Sequence, residues 1–250
     1  MLATAIHDGH ELRPEVAQIM ALDEDGRRRE EDPYTGMLTT IAQNQLVVYR
    51  SRFEVDLNRP REKAVYLAPE DAWGINVWKE PPTDEIITNS LREYDRFYTY
   101  VNQICSRMEK EFGRFVVLDI HSYNHRRQGI KAPPADPVEN PEVNIGTGTM
   151  NRDKWTNLVD MFIHDLRTFN YLGRNIDVRE NVKFRGGQLV RYVHENFPES
   201  GCAIAIEFKK YFMDEWTGTV DHEQFNNMLQ ALRSTIPGIL RELNAFGSMI

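Results

Sequence analysis

Three residues of this sequence have the types and positions needed to act together on one metal ion. His7 and His121 each follow an apolar run directly, and Glu207 lies inside a third apolar run. Neutral imidazole is a good zinc ligand, and a catalytic zinc ion keeps three protein ligands and one open position. A carboxylate in an apolar segment is costly unless it is paired or functional. These residues predict metal-assisted hydrolysis with Glu207 as general base, and the structural alternative is a salt bridge from Glu207 to a basic neighbour.

The three apolar runs must form neighbouring strands for this chemistry. They are Leu2–Ile6, Phe115–Ile120 and Cys202–Phe208, each typical of a strand that is covered on both faces. Ligands of open α/β sheets bind beyond the carboxyl ends of such strands. We therefore expect the carboxyl ends of the three strands to meet at the site.

Helices with one apolar stripe alternate with these strands. Apolar residues at steps of three and four predict them over Thr83–Phe112, Trp155–Phe169 and Phe225–Leu243. Shorter elements are predicted as helices at Pro14–Leu22 and Tyr34–Gln43 and as strands at Leu46–Tyr49 and Phe53–Leu57. This order predicts one α/β domain over residues 1–250, with a mixed, mostly parallel twisted sheet flanked by helices.

Two segments between these elements are rich in polar residues. Residues 122–150 contain many Pro, Gly and Asn and are too long for a plain connection, so we expect an active-site loop or lid. Asp23–Asp32 is a dense run of charges, for which we expect a solvated loop.

Arginines cluster at two further places. Arg50, Arg52 and Arg59 occur in one short segment, and Arg185 and Arg191 flank a Gly-Gly turn. Guanidinium groups bind carboxylates and oxyanions through paired hydrogen bonds, and a helix that begins after the Gly pair favours an anion. These clusters predict recognition of a small carboxylate substrate; solvated basic patches are the simpler explanation.

The composition narrows the function classes. The formal net charge is −8, from 30 Lys and Arg against 38 Asp and Glu, which disfavours nucleic-acid binding. No apolar run approaches the roughly 18 residues of a membrane span, and the first residues are unlike a signal peptide. Cys105 and Cys202 lie in apolar runs, as expected for free thiols in a reducing compartment. We expect a cytoplasmic protein without nucleic-acid or membrane partners, and a homo-oligomer stays open.

Several segments together are similar to one family. They are His7-Asp8-Gly9, Ser51-Arg52, Asp56-Leu57-Asn58-Arg59, Leu118-Asp119-Ile120-His121-Ser122, Phe184-Arg185-Gly186-Gly187 with Arg191, and Ile206-Glu207 followed by Tyr211–Glu215. By their order and spacing, the chain resembles the N-formylglutamate amidohydrolases, which share the fold of the zinc carboxypeptidases. The resemblance extends over most of the chain and implies a carboxypeptidase-like sheet.

The resemblance implies a role for each matching residue. On the metal side, His7 and His121 would ligate zinc, and Glu207 would be the general base. The remaining residues would contact the substrate: Asn58 and Arg59 its carboxylate, Arg52 the tetrahedral oxyanion, and Arg191 and Ser122 as further contacts.

The family pattern leaves the third metal ligand open. The carboxypeptidase-like superfamily has His-x-x-Glu at its first metal loop, whereas this chain has His10 at that spacing and Glu11 one step further. We rank His10 first, Glu11 second and Asp32 third, the last as a carboxylate that could swing in from the next loop.

The combined prediction is a zinc-dependent amidohydrolase that cleaves a small N-acyl amino acid such as N-formylglutamate. Two other functions stay open. One is a carboxypeptidase or peptidoglycan-type amidase, and the other is a binding protein that retains the fold without catalysis. A deep pocket closed by residues 122–150 would favour the small substrate, and an open groove would favour peptides.

Overall fold

A six-stranded sheet forms the centre of the computed structural model, which describes residues 1–247, with side chains up to residue 245. The strands are β1 (Leu2–Ala5), β2 (Asn44–Val47), β3 (Phe115–Tyr123), β4 (Val143–Gly146), β5 (Val178–Glu180) and β6 (Gly201–Lys209). Their order across the sheet is β2-β1-β3-β6-β4-β5. The first four strands in that order are parallel, and β4 runs antiparallel to β6 while β5 is parallel to β4. The predicted mixed, mostly parallel sheet is confirmed.

The helices of the described residues pack around this sheet. They are α1 (Pro14–Ile19), α2 (Glu24–Glu30), α3 (Thr35–Leu38), α4 (Asp84–Phe112), α5 (Thr156–Thr168), α6 (Gln188–Asn196) and α7 (His222–Gly247). Within residues 1–247, no helix combines the length and the apolar character needed to cross a bilayer.

The longest helix shows how the sequence defines an element. The Thr83 side chain accepts the backbone N–H of Ile86 at 3.3 Å and so caps the first turn of α4. Gly113, at φ 72°, follows the last turn in a conformation that disfavours side chains with a Cβ. Val101 and Cys105, in the apolar stripe, are buried in the core. The predicted helix over Thr83–Phe112 is therefore confirmed.

Apolar layers cover the sheet on both faces. One layer includes Phe162 of α5 and Met228 of α7, and the other includes Val193 of α6 together with the stripe of α4. Because both faces are covered, all nine residues of β3 are buried, and Asp119 and His121 are among them. Polar groups at such positions need partners inside the protein.

Two predictions about shorter segments were wrong, and a third needs its bounds corrected. Phe53–Leu57 forms turns and not a strand, because Glu54 and Asp56 are buried, as are the apolar residues that alternate with them. Asp23–Asp32 is not a solvated loop, since it contains α2 and buries several of its charged side chains. Residues 122–150 are not one loop, because they begin with the end of β3 and contain β4, a strand too short to show a clear apolar pattern.

Candidate active site

Three neighbouring parallel strands end at one edge of the sheet, and the predicted residues lie there. His7 follows β1, His121 lies near the end of β3, and Glu207 near the end of β6. In the register of β3 and β6, His121 is directly opposite Glu207. The ring centroids of His7 and His121 are 4.9 Å apart. The structure thus brings together the three residues on which the prediction of a metal site depended.

A third residue with a ligand-type side chain joins the two histidines. One ligand atom each of His7, Asp32 and His121 lie within 4.8 Å of one another, and all three residues are buried. Asp32 Oδ2 lies 3.0 Å from His121 Nδ1 and 3.5 Å from His7 Nδ1. The Asp32 backbone N–H donates to the carbonyl of His7 at 2.9 Å, which ties the segment after α2 to the end of β1.

His10 and Glu11 do not belong to this group, so Asp32 takes the position that we expected for His10. His10 Nδ1 lies 2.6 Å from a carboxylate oxygen of Glu31, and Glu11 is exposed. The reason is the path of the backbone after β1. Glu11 donates to Tyr49 O and accepts from the Ser51 N–H, which draws this loop towards the segment after β2 and away from His121.

Each histidine of the group has a carboxylate at its other ring nitrogen. His7 Nε2 lies 2.7 Å from Asp56 Oδ1, and His121 Nε2 lies 3.0 Å from Asp119 Oδ2. A ring nitrogen that donates its proton to a carboxylate leaves the other nitrogen, here Nδ1, with a free electron pair that faces Asp32. Three electron-pair donors that face one another repel unless a proton or a metal cation lies between them. The donor set therefore fits a divalent metal ion held in a carboxylate–histidine–metal arrangement.

The protonation behaviour of the group differs from that of Glu207. Without a metal ion, burial alone would raise the pKa of Asp32, but the adjacent His121 and His7 outweigh burial and hold this pKa well below its usual range. For Glu207 burial prevails and raises the pKa to about 7, although His121 opposes the shift. A carboxyl group with a pKa near neutrality can accept and return a proton at physiological pH.

The structural alternative for Glu207 was a salt bridge to Lys209, Lys210 or an arginine, and no such ion pair of Glu207 is formed within the described part of the chain. Lys209 Nζ donates to the carbonyl of Asn140 at 2.8 Å. Lys210 Nζ donates to the carbonyls of Arg29 and Glu31. The Glu207 carboxylate therefore remains with the histidines at the cavity.

Asp56 connects His7 to the arginine cluster. Arg52 Nη2 donates to Asp56 Oδ2 at 2.8 Å, the Tyr66 hydroxyl donates to the same oxygen, and Arg59 Nε lies 3.4 Å from it. Burial alone would raise the pKa of Asp56, but Arg52 and His7 outweigh it and hold this pKa well below its usual range. The carboxylate stays charged and fixes both the imidazole and the guanidinium groups.

A cavity of ≈ 220 Å³ lies beside His7, Asp32 and His121, the candidate metal-ligand group, and five basic residues contribute to its lining. Three of their guanidinium groups surround the Trp73 ring: Arg52 at 4.9 Å, Arg127 at 5.5 Å and Arg59 at 5.8 Å from its centroid. The other two basic residues are Arg185 and Lys210. These five basic residues form a cationic wall, which suits carboxylate groups. The same cavity is also lined by the candidate metal-ligand group.

The predicted substrate contacts divide into two sets. Arg52, Asn58, Arg59 and Ser122 line the cavity, and the Ser122 hydroxyl is buried without a hydrogen-bond partner among the described residues. Arg191 does not line it: this residue is exposed on α6. The prediction for Arg191 was therefore wrong, and Arg185, before the Gly-Gly turn, contributes to the cavity instead.

The Gly-Gly turn is needed to pack Asn58. A Cβ on Gly187 would lie 2.2 Å from Asn58 Oδ1, and Gly186 has a φ of +109°. Asn58 Oδ1 accepts the N–H of Leu189 in the first turn of α6, and its Nδ2 lies 3.3 Å from His121 Nε2. The turn thus brings the start of α6 to the metal-ligand group.

Several residues of the site were not singled out from the sequence. They are Glu30, Asp56, Tyr66, Trp73, Asp119, Arg127 and Lys210. Asp119 carries the same signal as Glu207, a carboxylate inside an apolar run, and Asp56 lies in a segment already noted for its resemblance. Trp73 and Lys210 show no signal in the sequence, because only the fold brings them to the cavity.

The sequence was compared with models of known protein families. A sequence model of the N-formylglutamate amidohydrolase family matches residues 1–213. The chain belongs to this family. Family membership supports an amidohydrolase as the general class of enzyme. None of the curated proteins matches the chain.

Solved structures show the fold shared by this N-formylglutamate amidohydrolase family member. The N-formylglutamate amidohydrolase from Ralstonia eutropha JMP134 superposes with a TM-score of 0.76 at 15% identity, covering 100% of this chain and 94% of that one. A gene product from Agrobacterium tumefaciens gives 0.69 at 16% identity, over 98% and 91%. A metallo-carboxypeptidase from Burkholderia cenocepacia superposes more distantly, with a TM-score of 0.40 at 13% identity over 96% of this chain and 57% of that one.

Proposed function

We propose that this protein is a metal-dependent amidohydrolase that cleaves a small N-acyl amino acid such as N-formylglutamate. The observation that carries the proposal is the buried group of His7, Asp32 and His121 with Glu207 beside it in one cavity. Two imidazole nitrogens and one carboxylate oxygen suit zinc, which commonly takes three such ligands and keeps a fourth position open. Family membership supports amide hydrolysis as the reaction class.

The residues of the site divide the chemistry between them. A zinc ion held by His7, Asp32 and His121 would supply Lewis acidity, which lowers the pKa of water and polarises an acyl oxygen. Glu207 accepts the proton of the attacking water and later returns it to the leaving amine. Because burial raises its pKa to about 7, Glu207 can hold that proton between the two steps.

The cationic wall orients the substrate. Arg52 donates hydrogen bonds to the oxyanion that develops on the acyl group, with its guanidinium held in place by Asp56. Arg59 and Arg185 bind the carboxylates of the amino-acid part, and Ser122 donates its free hydroxyl to the substrate. Two carboxylates, as in N-formylglutamate, match a wall with several guanidinium groups.

The shape of the cavity favours a small substrate over a peptide. Ser122, Tyr123, Asn124 and Arg127, all from residues 122–150, line a volume of ≈ 220 Å³, and the partly exposed Trp73 lies against three guanidinium groups there. A pocket partly closed by this segment is the arrangement expected for N-acyl amino acids. We retain peptide hydrolysis and non-catalytic binding as outcomes that experiment distinguishes.

The test combines metal content with turnover. Elemental analysis and hydrolysis of N-formylglutamate are measured on the wild type, His121→Ala and Glu207→Gln, after reconstitution with zinc, manganese or cobalt. We expect about one metal ion per wild-type chain, loss of metal and activity in His121→Ala, and retained metal with about 10²- to 10⁴-fold lower turnover in Glu207→Gln.

Other outcomes would redirect or reject the proposal. Metal without turnover of N-formylglutamate, but with release of amino acids from peptides, would favour the peptidase. A wild type that binds no metal after reconstitution would contradict the mechanism and favour a binding protein.

A further inference from the structure

We propose that Lys210 is a positioning residue that holds Asp32 at the metal site; this inference rests on the proposed function. His7 and His121 are placed by strands β1 and β3, but Asp32 follows α2 and belongs to no strand. Its position relative to the sheet therefore depends on tertiary contacts. Lys210 supplies such a contact, because it follows β6 directly and is fixed by the sheet.

The contacts of Lys210 reach the backbone that carries Asp32. Its Nζ donates to the carbonyl of Arg29 at 2.6 Å and to the carbonyl of Glu31 at 2.7 Å, and the residue is 1% exposed. These carbonyls lie at the end of α2, where acceptors without helical partners favour a cation. The Glu31 carbonyl belongs to the peptide bond that leads into Asp32, so the ammonium group restrains the backbone next to the ligand.

Other contacts hold the same segment to different parts of the fold. Ser51 Oγ donates to Glu31 Oε1 at 2.5 Å, and His10 Nδ1 lies 2.6 Å from Glu31 Oε2. The Asp32 N–H donates to His7 O. Lys210 adds a link to β6, the strand that carries Glu207. It therefore sets the position of Asp32 relative to the general base.

The ammonium group of Lys210 supplies donors to two carbonyls that an apolar side chain would leave unsatisfied. Burial of a charge costs free energy that an apolar side chain of similar size avoids. The partners of Lys210 are neutral carbonyls, and Asp32 and Glu30 provide nearby negative charge. The side chain also lines the catalytic cavity. The ammonium group of Lys210 is therefore explained by the backbone before Asp32, which it holds in place.

Lys209 provides a matched control. It is the preceding residue, and its Nζ also donates to a backbone carbonyl, that of Asn140, at 2.8 Å. Asn140 lies in the segment before β4, so this contact does not restrain Asp32. Replacement of either lysine by Met removes one charge and its donors at adjacent positions of the chain.

The first measurement is zinc affinity, determined by competition with a chelator for the full-length variants. We expect Lys210→Met to bind zinc roughly 10- to 100-fold more weakly, the usual effect of losing a residue that orients a metal ligand. Lys209→Met should bind as the wild type does. Lys210→Arg keeps a cation with several hydrogen-bond donors, and residue 210 lines two cavities that can take up the larger guanidinium group. This variant should therefore recover most of the zinc affinity.

The second measurement does not require metal or turnover. In the metal-free protein, hydrogen exchange of amides in residues 24–35 should be faster in Lys210→Met than in the wild type or Lys209→Met. If Lys210→Met does not fold, Lys210→Gln replaces it with the same criteria.

Two results would overturn the proposal for Lys210. One is a folded variant that binds zinc as tightly as the wild type. The other is exchange in residues 24–35 that is the same as in the wild type. Zinc binding by the wild type without hydrolysis would contradict the proposed function alone, and the comparison of variants would still test Lys210.

Discussion

Two regions of the molecule contribute to the same site by different means. They are the strand-end region, formed by His7, His121 and Glu207, and the charged segment Asp23–Asp32. In the first, the hydrogen-bond register of parallel strands places each side chain, so that His121 lies opposite Glu207. In the second, a short helix has no register with the sheet, and side-chain contacts from distant parts of the chain place Asp32.

The difference also lies in how charge is distributed along the sequence. Asp119 and Glu207 are single carboxylates among apolar neighbours, which marks them as residues of buried strands. In the charged segment, Asp23 to Asp25 are exposed, whereas Glu30, Glu31 and Asp32 are buried. A run of charges does not itself show which of its members enter the protein, because burial depends on partners elsewhere in the chain.

The largest effect is expected at the charged segment. Asp32→Asn removes the charged ligand and should weaken zinc binding by more than the roughly 100-fold upper range for residues that only orient ligands. Turnover of N-formylglutamate should fall with the metal content. Calorimetric titration with zinc measures the affinity. A variant that retains one tightly bound zinc ion per chain would show that the strand-end region suffices.

Strand β6, which carries Glu207 near its end, also contacts a buried histidine for which residues 1–247 show no carboxylate partner. His194 Nε2 accepts the N–H of Ala203 in β6 at 3.0 Å, and burial lowers the pKa of His194 to about 4. The unfolded chain has a histidine pKa near 6.5, so it binds the proton first as pH falls. The native state should lose about 3 kcal/mol of unfolding free energy between pH 6.5 and 4 from this residue.

Urea unfolding at pH 7 and pH 4.5 tests this expectation. His194→Gln keeps an acceptor for Ala203 but does not titrate, so its stability should decline less with acid than that of the wild type. Equal declines would show that other groups determine acid sensitivity.

An intermediate effect is expected for the carboxylate behind His121. Asp119→Asn removes the negative charge that orients the imidazole while the Thr4 hydroxyl keeps an acceptor. Zinc affinity should fall roughly 10- to 100-fold. Chelator competition on Asp119→Asn and Asp32→Asn would rank the two regions, and a greater loss for Asp119→Asn would reverse the comparison.

The smallest effect is expected for His10. Because its imidazole contacts Glu31 and Arg27 and not the metal-ligand group, His10→Gln should keep one zinc ion per chain. The zinc affinity of His10→Gln should fall by less than about tenfold, a smaller loss than is expected for a residue that orients a metal ligand. Loss of stoichiometric zinc would restore His10 as a ligand.

The sequence predicted much of the fold because its main signals are periodic and local. The apolar stripe of α4 and the continuous apolar runs of β3 and β6 require burial of their side chains. These patterns therefore define a helix and two strands before any tertiary contact is known. β4 was missed since its four residues include Asn and Gly. The turns at Phe53–Leu57 were missed because the alternating acids there are also buried.

What the sequence by itself determined are the three central strands β1, β3 and β6 and the residues at their ends: His7, His121 and Glu207 follow from apolar runs whose burial is a local property of composition. The tertiary structure alone decided the third member of the candidate metal-ligand group, the place of Arg185 and not Arg191 at the cavity, and the contacts of Lys210 with the end of α2. Each of these depends on side chains that meet across long separations in the chain. Identical residue types become buried or exposed according to partners that only the folded chain supplies.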